Sequence, residues 1–369
     1  MIALLVVAAL VLAYANGAND NLKAVATLYG SGTVDYGAAK RIATLAQVAG
    51  SLASVVLATG LLRAFGGKGL VPDAVVGDPA FLVAVATGAA GTVLLATALG
   101  GPISTTHALV GGLAGAAMTL SPGDLAWSAL GGSYFVPLLI SPFLATGATA
   151  LLYPLLRRAR RALGIESELC VCVGAVLDPV DVTAEGALVY RRTGLALSVD
   201  EQSACRAIYG GSFFGRSVQH LIDRLHQCSG FALGFARGLN DTPKVLALLV
   251  AAGWLAVDPR VALASVAVAM AIGGWLSARR VAETLSHRIT TLTHGQGLLA
   301  NAVGSTLVIG ASLLGAPVST THVSTGAIFG IGLYGDSDGR VITSVVLAWL
   351  VTLPVAALLA SLCARLLIS

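Results

Sequence analysis

Two hydroxyl-bearing runs, Ser104-Thr105-Thr106-His107 and Ser319-Thr320-Thr321-His322, stand in nearly identical settings. Each follows a glycine-x-proline turn, Gly100-Gly101-Pro102-Ile103 and Gly315-Ala316-Pro317-Val318. Proline suits the first turn of a helix, where its missing N–H would have no partner anyway. The amides and hydroxyls of Ser104, Thr105 and Thr106, and of Ser319, Thr320 and Thr321, are therefore expected at the positive end of a helix, where anions bind. Two such ends facing each other could hold a tetrahedral oxyanion. A second duplicated pair is Gly17-Ala18-Asn19-Asp20 and Gly238-Leu239-Asn240-Asp241. An acid inside an apolar span is costly and marks function. Asp20 and Asp241 could take Na+ or a proton, with the carbonyls of Asn19 and Asn240 beside them. An anion is not stable next to two bare carboxylates, so cation binding there would favour anion entry, and each ligand would shift the other by that coupling.

The elements that carry these motifs are set by composition. Of 369 residues, 56% are hydrophobic and 11% charged, the mean hydropathy is +0.86 and the pI is near 8.9. A soluble domain carries about 25% charged residues, so a bilayer is the solvent for most of this chain. A secreted disulfide scaffold, a nucleic-acid binder and a cytosolic enzyme are excluded. The 44 glycines fit close approach of membrane helices. No basic n-region precedes the apolar run Met1–Ala15, so it is expected to be a helix that breaks at Asn16–Asn21 and resumes to Tyr29 rather than a signal peptide. Further apolar stretches lie near 42–62, 80–99, 105–119, 125–156, 230–255, 261–277, 297–314, 321–334 and 341–368. Those at 105–119 and 321–334 are short for a span, and 125–156 is expected to kink or break at Pro137, Pro142 and Pro154.

The Ser-Thr-Thr-His motifs recur 215 positions apart, with Gly111/Gly326 and Gly115/Gly330 at the same offset, and the Asn-Asp motifs recur 221 apart. A single Ser-Thr-Thr in a membrane helix commonly bonds back to the preceding turn; the duplication is what favours function. If each stretch crosses once, five crossings precede the polar segment and five follow it, so the second copy is upside down. The expectation is an all-α polytopic membrane protein of two inverted-topology repeats, with broken or re-entrant helices carrying the site at mid-membrane. Residues 1–156 form the first repeat, 157–229 a polar loop and 230–369 the second repeat. Arg157, Arg158, Arg160 and Arg161 place the loop in the cytoplasm by the positive-inside rule.

Other polar residues carry weaker signals. Lys23 and Lys244, each three beyond an aspartate, either pair with it or snorkel to the interface. Arg237, opposite Asn16 in the repeat, is expected to anchor at the interface, as are Trp127, Trp254 and Trp349. His107 and His322 are accessory candidates that cap or orient the neighbouring turn. The loop cysteines Cys170, Cys172, Cys205 and Cys228, with His220 and His226 nearby, match no zinc spacing and are expected to be reduced thiols. No resident metal or cofactor is expected.

These duplicated motifs, with Arg280-Val281-Ala282-Glu283-Thr284 and Gly295-Gln296-Gly297, resemble the inorganic phosphate transporter (PiT, or Pho-4) family over both membrane halves. The resemblance implies import of inorganic phosphate by symport with Na+ or H+ through alternating access, in the plasma (inner) membrane and as a homodimer. It places phosphate at Ser104, Thr105, Thr106, Ser319, Thr320 and Thr321, and the cation at Asn19, Asp20, Asn240 and Asp241. Animal members have a glutamate where this chain places Gln47 and Asn301, whose amides could coordinate a cation but release no proton. The rival readings are a sulfate or other oxyanion permease of the same architecture and an uncoupled anion channel or receptor. The presence of the first Asn-Asp pair favours phosphate.

Overall fold

The computed structural model describes residues 1–67, 69–162, 169–182, 188–201, 216–252, 258–287, 292–334 and 339–369. Eleven longer helices are used below: α1 (Ile2–Asp20), α2 (Tyr36–Leu57), α3 (Pro79–Ala98), α4 (Thr105–Leu120), α5 (Val136–Ala162), α6 (Val218–Ala251), α7 (Pro259–Ser277), α8 (Arg279–His287), α9 (His294–Leu313), α10 (Thr320–Gly332) and α11 (Gly339–Ile368). Two compact units result: one contains 1–151 with 226–369, the other 152–225.

The first unit is helical and apolar. Among the described residues, six helical stretches are long and apolar enough to cross a membrane: Ile2–Gly30, Pro79–Ala98, Trp127–Ala159, Pro259–Ser277, His294–Leu313 and Ile342–Ile368. Ten single crossings were expected, and the difference has a physical cause. At about 1.5 Å per residue, α4 and α10 are too short for a core of about 30 Å, with 16 and 13 residues. Helices α6 and α2 are long enough, but Arg237, Asp241 and Lys244 interrupt the apolar character of the first and Lys40, Arg41 and Gln47 that of the second.

The break expected at Asn16–Asn21 falls later, because Asn16–Asp20 stay helical. Helix α1 ends at Asp20, residues Asn21–Val25 form a 3-10 turn, and a short helix Ala26–Gly30 follows. The second pair lies in α6, which runs through Asn240-Asp241 unbroken with Pro243 inside it. The proline-rich stretch 125–156 begins as a helical turn at Trp127–Ala129 and passes through a π-helix, Leu130–Phe135, into α5. A π segment is one of the few ways a helix absorbs a local disruption.

The second unit, within the segment read as a polar loop, contains a small sheet. Strands β1 (Leu169–Val182) and β2 (Leu188–Glu201) pair antiparallel, and the two-residue β3 (Arg216–Ser217) adds to β1, giving the order β2-β1-β3. The alternation in Leu169-Cys170-Val171-Cys172-Val173 is a strand pattern, but the arginine content of the segment masked it. The side chains of Cys170, Cys172, Cys205 and His220 lie outside the described residues. His226 belongs to the helical unit and is fully buried, with Nε2 3.0 Å from Thr27 Oγ1 and Nδ1 3.0 Å from Thr33 Oγ1, so it serves the helix packing. Cys228 and Cys363 are free thiols.

Glycine sets how closely the helices approach. A Cβ at Gly111 or Gly115 of α4 would lie 2.3 Å from the Leu353 carbonyl or 2.1 Å from that of Ala357, both on α11. The equivalent Gly326 and Gly330 of α10 meet the Pro142 and Thr146 carbonyls of α5 at 2.5 and 2.3 Å. The same small-residue spacing thus docks the short helix of each half on a long helix of the other, as membrane packing favours. We expect Gly115→Ala to lower the unfolding midpoint of detergent-purified protein, since overpacking costs about 1–3 kcal/mol. Gly147→Ala, where a Cβ meets nothing within 4 Å, should leave the midpoint unchanged or raise it; equal effects of the two would refute the close-packing account.

Candidate functional site

The glycine-x-proline turns build the site. Helices α3 and α9 each end in a glycine with positive φ, Gly100 at 72° and Gly315 at 69°. Two reversed bonds close each end: Gly101 N–H to Ala96 O (2.8 Å) and Gly100 N–H to Thr97 O (3.0 Å), then Ala316 N–H to Ala311 O (2.9 Å) and Gly315 N–H to Ser312 O (3.1 Å). This is the Schellman arrangement, which needs a residue without Cβ at the left-handed position. The chain then turns into α4 or α10, whose first residues are the hydroxyl runs. Ser104 and Ser319 are the N-caps, each Oγ accepting the backbone N–H of His107 or His322 at 3.1 Å. Their oxygens are engaged in capping, while their hydroxyl hydrogens remain available for donation.

The two helix tips meet on one carboxylate. Thr105 Oγ1 donates to Asp20 Oδ2 at 2.9 Å, and Thr321 Oγ1, from the other half, lies 3.1 Å from Asp20 Oδ1. Thr106 Oγ1 lies 3.3 Å from the Val318 carbonyl, and Thr321 Oγ1 3.0 Å from that of Ile103, so each tip touches the turn of the opposite half. Thr320 Oγ1 reaches Asp241 Oδ2 at 3.4 Å. All six Ser/Thr side chains, both aspartates and both asparagines are buried.

The aspartates are not bare: each is paired with a buried lysine. Lys23 Nζ contacts Asp20 Oδ1 and lies 2.6 Å from Asn19 Oδ1, 2.7 Å from the Ile103 carbonyl and 2.8 Å from Thr321 Oγ1. Lys244 Nζ lies 3.1 Å from Asp241 Oδ1, 3.0 Å from the Val318 carbonyl and 2.6 Å from Thr106 Oγ1. Both lysines therefore pair with acids rather than snorkel. Arg237 also departs from expectation. It is buried, not interfacial, with Nη1 3.2 Å from Thr320 Oγ1 and 3.7 Å from Asp20 Oδ1, and Nη2 2.9 Å from Ser324 Oγ. Its partners lie inside the protein, so its head group has no reason to seek the membrane surface. Two acids thus face three bases, one positive charge in excess.

The asparagines lock this frame. Asn19 Nδ2 donates to Thr97 Oγ1 (2.9 Å) and the Gly101 carbonyl (3.0 Å), and its Oδ1 accepts from Ile103 N (3.2 Å). Asn240 Nδ2 donates to Asp241 Oδ1 (2.9 Å) and the Val318 carbonyl (3.2 Å), and Oδ1 accepts from Ser312 Oγ at 3.3 Å. Thr97 and Ser312 were missed by sequence reasoning, although they share the offset of the hydroxyl runs. Arg237 carried the same signal as the aspartates, an ion inside an apolar stretch, and was set aside because Asn16 stands opposite it.

Other candidates lie outside the charged centre. Gln47 is buried and donates to Ser51 Oγ at 2.7 Å; Ser51 Oγ lies 2.7 Å from Thr242 Oγ1. Asn301 is buried without a hydrogen-bond partner for Nδ2. Among the described residues neither amide bonds directly to the Asn-Asp pairs. His107 and His322 stack on each other with ring centroids 4.4 Å apart, and His322 stacks on Trp349 at 4.0 Å. Both histidines border an apolar cavity of about 310 Å³ that includes Leu138, Phe143 and Leu353. Trp349 is therefore a buried packing partner rather than an interface residue; Trp127 is exposed and Trp254 lies outside the described residues.

The model of the phosphate transporter family matches residues 16–360, which spans all of these motifs. The chain belongs to that family. A Pyrococcus abyssi protein named as a candidate phosphate permease is 27% identical over 394 residues, covering 95% of this chain and 94% of its own. A Mycobacterium bovis protein named as a candidate low-affinity inorganic phosphate transporter is 28% identical over 376 residues, 97% of this chain and 75% of that one. A solved structure described as the sodium-dependent phosphate transporter shares the fold, with a TM-score of 0.76, 19% identity and coverage of 99% and 98%. This phosphate transporter family member is an integral membrane transporter and not an enzyme.

The buried ions are expected to be thermodynamically coupled. Removing one partner of a buried pair costs about 3–5 kcal/mol, so Asp20→Asn and Lys23→Met should each lower the unfolding midpoint clearly. The double variant should lose less than the sum of the two; strict additivity in this double-mutant cycle would remove the pair from the account.

Proposed function

We propose that this transporter imports inorganic phosphate across the plasma (inner) membrane by symport with a cation, Na+ or H+, through alternating access. The observation that carries the reading is the junction of two hydroxyl-bearing helix tips on a buried cluster of three bases and two acids. A tetrahedral oxyanion needs several donors converging from different directions. Ser104, Thr105 and Thr106 from one half and Ser319, Thr320 and Thr321 from the other supply hydroxyls, and the tips of α4 and α10 supply the positive ends of helix dipoles. The excess positive charge lowers the cost of bringing an anion to membrane depth. Arg237, on Thr320 and Ser324, can turn a planar pair of N–H groups to phosphate as phosphate recognition favours.

The reciprocal contacts support an inverted repeat. Lys23 and Lys244 each take a carbonyl from the turn of their own half and a threonine hydroxyl from the opposite tip. A site shared this way opens to one side or the other when the two repeats rock about it. The segment 157–229 lies in the cytoplasm on this reading, in line with the arginines that open it, and the functional form is a homodimer.

In reconstituted liposomes, labelled phosphate should accumulate against its gradient when a Na+ or proton gradient is imposed, the two being varied independently. Arsenate should compete and sulfate should not. Uptake that only equilibrates would identify an uncoupled channel, and equal competition by sulfate would favour the broader oxyanion permease. Arg237→Met should raise the half-saturation concentration by about tenfold or more, the scale of one hydrogen bond to a charged group; an unchanged value excludes Arg237 from contact with the anion.

A further inference from the structure

The buried lysines are placed where a free cation would have to sit. Four oxygens of mixed type surround Lys23 Nζ: the Asn19 amide, the Asp20 carboxylate, the Ile103 carbonyl and the Thr321 hydroxyl. The shell of Lys244 Nζ repeats the last three kinds: the Asp241 carboxylate, the Val318 carbonyl and the Thr106 hydroxyl. Carboxylate, carbonyl and hydroxyl oxygens are the ligands that hard cations take. An ammonium has only three N–H groups, so four oxygens around Lys23 Nζ make a cation cage rather than a matched set of hydrogen bonds. The side chains of Lys23 and Lys244 are 0% and 1% exposed. A second cation in either cage would sit on top of the first, against like charge in a medium that screens poorly.

We infer that Lys23 and Lys244 are tethered cations that permanently fill the two oxygen cages beside the anion site, so that phosphate binds there without Na+. The lysine sits three residues beyond its aspartate in both halves, which lets its stem return along the helix to the carboxylate. The ammonium does there what a mobile ion would do: it neutralises the acid and draws the turn carbonyl and the opposite threonine towards one point. Arg237 supplies the remaining positive charge from Thr320 and Ser324, 3.7 Å from Asp20. The inference deepens the proposed transport function and rests on the anion site assigned there; it leaves a proton, or a Na+ held outside the two cages, as the symported cation. It makes residues 23 and 244 the determinants of ion requirement: lysine gives a site already charged, whereas a short polar side chain would leave a cage that an external ion must fill.

The test is equilibrium binding of labelled phosphate to the full-length protein in lipid nanodiscs, at fixed pH and ionic strength, in choline chloride against sodium chloride. The wild type should bind with the same affinity in both media. Lys23→Asn and Lys244→Asn should bind weakly in choline and regain affinity in sodium by about tenfold, within the usual range of ligand–ligand coupling. A wild-type affinity that rises about fivefold or more with sodium overturns the inference and needs no variant to be folded. Wild-type affinity kept by both variants in choline, or no sodium response in either, also overturns it. Sodium-independent binding of sulfate in place of phosphate would refute the substrate assignment while leaving the tethered cations intact.

Discussion

The structure depends on keeping five ions buried together at the junction of its two halves. Asp20, Asp241, Lys23, Lys244 and Arg237 are each at most 3% exposed. An isolated ion is costly at membrane depth and is tolerated only with partners. Each ion here has several, and of those that are not ions themselves most are backbone carbonyls or threonine hydroxyls set by the glycine-x-proline turns. The turns therefore have two consequences: they start the short helices α4 and α10, and they aim the Ile103 and Val318 carbonyls at an ammonium. Loss of this geometry would expose unpaired charge to an apolar interior.

The packing around the centre serves that constraint. Helices α4 and α10 are too short to cross the bilayer alone, so they need long neighbours. Their glycines at 111 and 115, and at 326 and 330, let α11 and α5 lie directly against the backbone. Gly17 of α1 approaches Met270 of α7, and Gly238 of α6 approaches Gln47 of α2, in the same manner. Each Asn-Asp helix thus leans on a helix of the opposite half. Interlocking of this kind holds the two tips in register, because neither half completes its own cage.

The charge count separates this site from a simple anion trap. Three bases beside two acids leave a modest positive excess, enough to favour an anion without fixing it as firmly as a cluster of unpaired arginines would. A carrier must release its cargo, and hydroxyl donors with a nearly balanced ion cluster suit that need. On the proposed reading, threonines that now bond to Asp20, Asp241 and the turn carbonyls exchange these partners for phosphate oxygens, so binding and rearrangement of the hydrogen-bond network are one event.

Much of this was legible in the residues. The hydroxyl runs, the Asn-Asp pairs and their fixed offsets pointed to the residues that the fold brings together as the candidate site, because an ion or a proline turn in an apolar stretch has few structural excuses. Composition gave the helical membrane architecture, because 11% charged residues cannot cover a soluble protein of this length. The tertiary structure alone decided who pairs with whom. Whether Lys23 snorkels or folds back, and whether Arg237 lies at the surface or beside Thr320, depends on partners 83 or more residues away along the chain. The break after Asp20 and its absence at Asp241 likewise follow from packing, not from motifs that are alike. Sequence spacing records which groups can reach one face of a helix; only the assembled fold fixes the partner waiting there.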